Sequence, residues 1–179
     1  MKTLVINLFA GPGTGKSTTM AYIFSKLKYE GINCEMAPEY AKEVVWTDVN
    51  ESKQLPGRLT DQIYIFGKQQ NRIRRLNNKV QVVITDCPIL LSLLYGKDKS
   101  DTFKQLVKET HNEFNNINIF LTRSKKYNPS GRLQNEEKAK ELDSEIIDLL
   151  FENKIFTRVE YGTQEGGDNI VKLILETLK

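Results

Sequence analysis

A glycine-rich turn near the start of the chain constrains its fold more than any other feature. The residues Ala10-Gly11-Pro12-Gly13-Thr14-Gly15-Lys16-Ser17 follow an apolar run at 4–9 and precede a helical pattern at 16–29. A strand, a glycine-rich turn and a helix N-terminus in this order are typical of a phosphate-binding loop, or P-loop. The glycines permit positive φ angles, which turn backbone N–H groups towards an anion. The sequence therefore predicts a site for a nucleoside triphosphate.

The side chains at the end of this motif predict how the phosphates are held. We expect the Lys16 ammonium to reach the β- and γ-phosphates and the Ser17 hydroxyl to bind Mg²⁺. The helix N-terminus adds a partial positive charge. The first position of the motif, usually glycine, is Ala10. The residues predicted to contact the nucleotide are Gly11, Pro12, Gly13, Thr14, Gly15, Lys16, Ser17 and Thr18.

Composition indicates an ordinary globular protein. A length of 179 residues suits a single domain, 1–179, and 39% apolar with 27% charged residues is an average balance. The net charge of +3 neither requires nor excludes a nucleic-acid partner. No apolar run reaches the roughly 20 residues of a membrane span, and the first strand leaves no room for a signal peptide. We expect no membrane association and a cytoplasmic location, which is the host cytoplasm if the protein is phage-encoded.

Strand-like and helix-like segments alternate, which predicts an α/β fold with a parallel sheet covered on both faces. The expected strands are 3–9, 32–37, 81–86, 117–122 and 155–160. The expected helices are 16–29, 39–48, 61–78, 101–114, 135–151 and 167–178. Gly31 is expected to end the first helix, and Thr60 to cap the third.

Two polar, irregular stretches interrupt this pattern at 49–60 and 123–134. Long loops in a compact domain are usually functional or mobile. We expect the first to belong to a segment, about 39–80, that binds the phosphate acceptor. We expect the second to be a lid. Arg123 and Arg132 bracket its basic part, and planar guanidinium groups suit the charge of a transferring phosphoryl group. The alternative is a solvated basic loop.

Two carboxylates follow predicted strands at the edge where the P-loop lies. Asp86 ends the apolar strand 82–86 and is expected to hold Mg²⁺, although an acid before Pro88 is also typical of a helix cap. Glu39 follows the second strand and is expected to accept the proton of an attacking hydroxyl. The alternative for Glu39 is favourable electrostatics at a helix N-terminus, and Glu43, one turn on, is the reserve candidate.

The predicted helix 61–78 has side chains that suit an acceptor. Gln62 and Gln69 are candidates to read a base edge. Tyr40, Trp46 and Phe66 either stack on a base or belong to the core. A basic stripe at 68, 72, 75 and 79 is a solvated face or contacts nucleic-acid phosphates. His111 is expected on the surface.

Together these features resemble small P-loop kinases. The resemblance rests on the glycine-rich loop, Pro38-Glu39-Tyr40, the strand Val82 to Asp86 before Cys87-Pro88, and the basic segment 123–132. The chain is similar to the ribosylnicotinamide-kinase-like ATP-binding (AAA-type) domains, many of them found in tailed phages. Nucleoside and nucleoside monophosphate kinases are broader relatives.

This resemblance implies a P-loop NTPase three-layer sandwich whose five-stranded parallel sheet has the order 2-3-1-4-5. It also implies ATP and Mg²⁺ as cofactors, an acceptor site between the second and third helices, and Glu39 as the carboxylate that activates a hydroxyl. The residues themselves leave the general base open between Glu39 and Asp86.

The chain departs from nucleoside kinases in one position. Those enzymes usually carry arginine directly after the acid of the third strand, where this chain has Cys87, so Arg58 or Lys42 would have to contact the acceptor instead. The absence of an Asn-Lys-x-Asp signature argues against a GTPase.

The leading hypothesis is a kinase that moves the γ-phosphate of ATP to a nucleoside, nucleotide or related small acceptor. One alternative acceptor is a hydroxymethylated base in DNA. A second alternative is a nucleotide-gated ATPase or regulatory binding module. No feature of the sequence specifies an oligomeric state.

Overall fold

The apolar strands of the chain form one parallel sheet. The computed structural model describes residues 2–47, 61–124 and 136–179, with 45–47 as backbone only. The strands are β1 Leu4–Phe9, β2 Cys34–Met36, β3 Val82–Thr85, β4 Asn115–Thr122 and β5 Arg158–Tyr161. All pairings are parallel, in the order β2-β3-β1-β4-β5. This confirms the predicted α/β fold and its strand order.

The register of the sheet brings the strands to a common edge. Leu4 of β1 aligns with Val82 of β3 on one side and with Asn115 of β4 on the other. Cys34 of β2 also aligns with Val82. In parallel strands the carboxyl ends meet at one edge. The loops after β1, β2 and β3 therefore converge, which brings the P-loop near Glu39 and Asp86.

Helices connect the strands and cover both faces of the sheet. They are α1 Lys16–Tyr29, α2 Tyr40–Thr47, α3 Gln62–Arg74, α4 Leu91–Tyr95, α5 Asp101–Asn112, α6 Glu136–Glu152 and α7 Gln164–Thr177. Among the described helices, none is both long and apolar enough to cross a membrane.

Two apolar cores separate the layers. The residues of β1 alternate between them: Val5 and Phe9 pack with side chains of α3 to α6, and Leu4, Ile6 and Leu8 pack with side chains of α1 and α7. All six residues of β1 are buried. A central strand covered on both faces is typical of a doubly wound parallel sheet.

Most element boundaries shift from their predicted positions, and one helix was missed. The third predicted helix ends at Arg74 and not at residue 78, and its cap is Asp61 and not Thr60, since the Asp61 carboxylate accepts the Tyr64 N–H at 3.1 Å. Gly31 does end α1, with a φ of 75°. The sequence pattern does not predict α4, because this helix is short and almost wholly buried and therefore lacks an alternating pattern.

Candidate active site

The glycine-rich turn joins β1 to α1 as the sequence predicts. Gly13 and Gly15 have φ angles of 87° and 105°, in the left-handed region that only glycine adopts readily. The Thr14 hydroxyl donates to the Gly11 carbonyl at 3.0 Å and braces the turn. The loop therefore has the backbone conformation that a cradle for phosphate oxygens requires.

Lys16 lies across the loop. Its ammonium donates to the carbonyls of Ala10 at 2.7 Å and Gly11 at 3.1 Å. Burial lowers the pKa of Lys16, while the negative charges of Glu39 and Asp86 act in the opposite direction. The ammonium is thus held at the loop next to two carboxylates.

Asp86 connects two of the converging loops. Its Oδ2 accepts the Ser17 hydroxyl at 2.5 Å, and its Oδ1 accepts the Glu39 backbone N–H at 3.0 Å. The side chain is buried, with 2% of the residue exposed. A hydroxyl and a carboxylate are hard oxygen ligands of the kind that Mg²⁺ prefers.

The residues around Asp86 fit a magnesium ion that is shared with a bound nucleotide. In the described ranges, no group of three or more His, Cys, Asp or Glu side chains could hold a metal by itself. Mg²⁺ in nucleotide sites commonly uses one or two protein oxygens together with substrate phosphates. Ser17 and Asp86 would hold it here, and their metal role stays a prediction.

Glu39 precedes α2, beside Lys16 and Asp86. Burial raises the pKa of its carboxyl, the Asp86 charge raises it further, and Lys16 lowers it. An acid with a raised pKa in a cleft is a candidate for proton transfer. Glu43, the reserve candidate, differs: hydrogen bonds from Arg72 lower its pKa, and the two side chains form a bidentate ion pair.

Two residues beside Glu39 have no predicted site role. Cys87, in the position where arginine is usual, interacts electrostatically with Glu39 and Asp86, and burial raises its pKa. Tyr95, at the end of α4, is 46% exposed, and partial burial together with the Glu39 charge raises its pKa. Pro88, which can open a helix, is the sequence signal that would have placed α4 and Tyr95 here.

Arg72 and Tyr64 of α3 contact Tyr40 of α2 between the two helices. The Arg72 guanidinium lies 5.1 Å from the centre of the Tyr40 ring and donates to the Pro38 carbonyl at 3.0 Å. The hydroxyls of Tyr40 and Tyr64 are 2.9 Å apart. Arg72 belongs to the predicted basic stripe, and its guanidinium therefore already has partners within the protein. Gln62 lies at the partly exposed start of α3.

Two predicted acceptor residues have structural roles instead. Gln69 is 2% exposed. Its amide oxygen accepts the Tyr40 backbone N–H at 3.0 Å, and its amide nitrogen donates to Thr85 Oγ1 at 3.3 Å. The amide is therefore not available to hydrogen-bond a base. Phe66 is 6% exposed and packs edge-to-face on Phe103, with ring centres 5.6 Å apart. The predicted acceptor contact of Gln69 is wrong because α3 turns its side chain inward. Of the two alternatives for Phe66, stacking on a base or a place in the core, the structure shows the core.

Arg123 is also placed differently from its prediction. Its side chain is 17% exposed, and it forms an ion pair with Asp143 of α6 and donates to the Pro12 carbonyl at 2.8 Å. The guanidinium therefore binds the P-loop backbone, and Arg123 is not placed in an open lid. Trp46, Arg58 and Arg132 lie outside the side chains that the structure describes, so their roles stay predictions, as does the lid at 123–134.

Comparison with known families agrees with this geometry. The model of a family described as "AAA domain" matches residues 5–163, which include the P-loop and all five strands except the first residue of β1. A comparison with curated proteins found no match.

Proposed function

This chain belongs to the AAA domain family, a P-loop NTPase type, and from that premise we propose that it is a kinase. It moves the γ-phosphoryl group of ATP to a hydroxyl group of a small, nucleoside-like acceptor. Family and fold support nucleotide binding but do not select an acceptor. The observation that carries the finer proposal is the Glu39 carboxyl, which lies beside Lys16 and Asp86 and has a pKa raised by burial.

In the proposed reaction Glu39 accepts the proton of the acceptor hydroxyl. The hydroxyl oxygen forms a bond to the γ-phosphorus, the bond from that phosphorus to the β–γ bridging oxygen breaks, and ADP keeps the electron pair. Lys16 neutralises charge on the β- and γ-phosphate oxygens. Mg²⁺, held by Ser17 and Asp86, supplies further positive charge when it is bound. Catalysis is positioning and charge neutralisation.

The charges around Glu39 favour a hydroxyl over a phosphate as acceptor. The described groups that act on its pKa are Lys16, Asp86 and Lys42. Of the two cations, Lys16 belongs to the P-loop and Lys42 has the smallest effect. The nearby Arg72 is neutralised by Glu43. A phosphate monoester brings a charge of about −1.5 to −2 next to two carboxylates, whereas a hydroxyl brings none. The resemblance to ribosylnicotinamide and nucleoside kinases supports the same acceptor class.

Labelled ATP tests this proposal directly. The protein is incubated with γ-labelled ATP and Mg²⁺ against nucleosides, ribosylnicotinamide, nucleoside monophosphates and DNA that contains hydroxymethylated bases, with Lys16→Ala as the blank. Label on a nucleoside is the expected result. Label on DNA would support the base-kinase alternative, and acceptor-independent ATP consumption would support the regulatory ATPase. If no acceptor raises ATP consumption above the blank, the kinase proposal is wrong.

A further inference from the structure

A partly buried ion pair joins the P-loop to α6. The two side chains are Asp143, in the second turn of α6, and Arg123, directly after β4, and their side chains are 18% and 17% exposed. The pair does more than link α6 to the end of β4. Each partner also binds a backbone group in the first half of the glycine-rich turn.

Asp143 uses both of its carboxylate oxygens. Oδ1 accepts the Gly11 backbone N–H at 2.5 Å, and Oδ2 accepts Arg123 Nε. A hydrogen bond from a neutral N–H to a charged acceptor is about twice as strong as one between neutral groups. The carboxylate therefore holds the backbone of the turn at Gly11.

Arg123 completes the attachment with its remaining nitrogens. Nη1 donates to the Pro12 carbonyl at 2.8 Å, and Nη2 donates to the Ala139 carbonyl of α6 at 2.9 Å. All three guanidinium nitrogens are thus engaged, one each on the P-loop, on α6 and on Asp143. The planar fork holds these acceptors at fixed relative positions.

The close approach of α6 to the turn depends on Gly11. A Cβ atom at this position would lie 2.6 Å from the Ala139 carbonyl oxygen and 2.7 Å from Asp143 Oδ1. Gly11 thus lets the backbone of the turn reach the helix. The following glycines, Gly13 and Gly15, have the left-handed φ angles of the phosphate cradle and are intrinsically flexible.

From these contacts we infer that Asp143 and Arg123 are positioning residues that hold the first half of the P-loop in the conformation that binds phosphate. The inference rests on the proposed function, because it concerns the affinity for ATP. A loop that is fixed before binding loses less conformational freedom when the nucleotide arrives, so its affinity is higher. Their described hydrogen bonds go to the P-loop backbone, to α6 and to each other, and not to Lys16, Glu39 or Asp86.

The test measures the dissociation constant of MgATP and of MgADP for the folded protein, well below the unfolding temperature. Asp143→Asn keeps one oxygen but places an amide next to Arg123, and it is expected to weaken both nucleotides about tenfold or more. The matched control is Asp148→Asn, an exposed acid on the same helix, with unchanged affinity expected. A merely structural role would lower the unfolding temperature and leave the affinity of the folded protein unchanged.

Arg123→Lys gives a second, independent test should Asp143→Asn fail to fold. The substitution keeps the positive charge but loses the planar guanidinium, which holds three acceptors at once. A several-fold loss of affinity for MgATP is therefore expected. If either folded variant binds MgATP within twofold of the unmodified protein, the positioning role is wrong and the kinase proposal stands. If the unmodified protein itself does not bind MgATP, the proposed function is wrong.

Discussion

At the scale of single residues, Glu39 is where the chemistry of the site concentrates. The pKa of its carboxyl is raised by burial, lowered by the Lys16 ammonium of the P-loop and raised by the neighbouring Asp86 carboxylate. A general base must be ionised to accept a proton. Since burial raises its pKa, the loss of transfer on acidification begins at a higher pH than for an ordinary glutamate at about 4.3.

Glu39→Gln removes this base and is expected to lower phosphoryl transfer about 10²- to 10⁴-fold with ATP affinity nearly unchanged. The acid limb of the rate profile should disappear with it. Transfer is measured between pH 4.5 and 8 with the best acceptor from the labelling experiment. The control is Glu35→Gln on β2, whose carboxylate pairs with Lys28 at the surface. Transfer by Glu39→Gln near the unmodified rate would remove Glu39 from the mechanism.

Two glycines give opposite predictions for the same substitution. Gly11→Ala forces a Cβ against the α6 backbone and is expected to destabilise the fold by about 1–3 kcal/mol. Gly67→Ala, inside α3 with open space around it, is expected to stabilise by about 0.5–1 kcal/mol because glycine disfavours helix. Urea unfolding measures both. Equal effects of the two substitutions would contradict the close approach of α6 to Gly11.

At the scale of elements, α7 shows how packing overrides a local signal. The helix was expected to begin at 167, but it begins at Gln164 and so includes both Gly166 and Gly167, although glycine disfavours helix. A Cβ at Gly166 would lie 2.0 Å from the Tyr161 carbonyl, and one at Gly167 would lie 2.6 Å from the Tyr22 ring. These glycines let α7 pack tightly on β5 and α1, which no pattern within the segment reveals.

The cap of α7 gives the prediction at this scale. The Thr163 hydroxyl accepts the Gly166 N–H at 3.2 Å. Thr163→Ala leaves that N–H without its partner and is expected to cost about 1 kcal/mol in the free energy of unfolding. Thr163→Ser keeps the hydroxyl and should remain within a few tenths of the original value. A loss of the same size in both variants would mean that the methyl group, and not the cap, matters.

At the scale of the whole molecule, one buried histidine ties global stability to pH. His111 was expected on the surface, but it is 4% exposed at the end of α5, and burial lowers its pKa to about 4. The prediction was wrong because α5 packs this turn inward. Between about pH 4 and 6.5 the unfolded chain binds a proton at His111 that the folded protein does not.

Acidification through this window therefore favours unfolding. The contribution of neutral His111 to the free energy of unfolding is fully present above pH 6.5. It is expected to fall by about 1.4 kcal/mol per pH unit as the pH drops from 6.5 to 4. Urea unfolding of the unmodified protein and of His111→Gln from pH 7.5 to 4.5 measures the difference. The variant is expected to have a lower free energy of unfolding than the unmodified protein at neutral pH, but to lose stability less steeply as the pH falls. Parallel curves would show that His111 does not titrate as its burial requires.

The sequence by itself determined the P-loop, the alternation of strands and helices and the two carboxylates at the sheet edge. Each depends on local rules: glycine for positive φ at Gly13 and Gly15, apolar runs for buried strands, and strand ends for Glu39 and Asp86. The strand order followed from the family resemblance, and the register then brought these residues to one place.

Only the tertiary structure decided which side chains remain available for chemistry. Gln69 turns inward to Thr85, Arg72 pairs with Glu43, and Arg123 binds the P-loop together with Asp143. The partners of these contacts come from different elements, and local propensity does not encode how those elements pack. Asp143 is 132 residues from Gly11 along the chain, yet its carboxylate lies 2.5 Å from the Gly11 nitrogen.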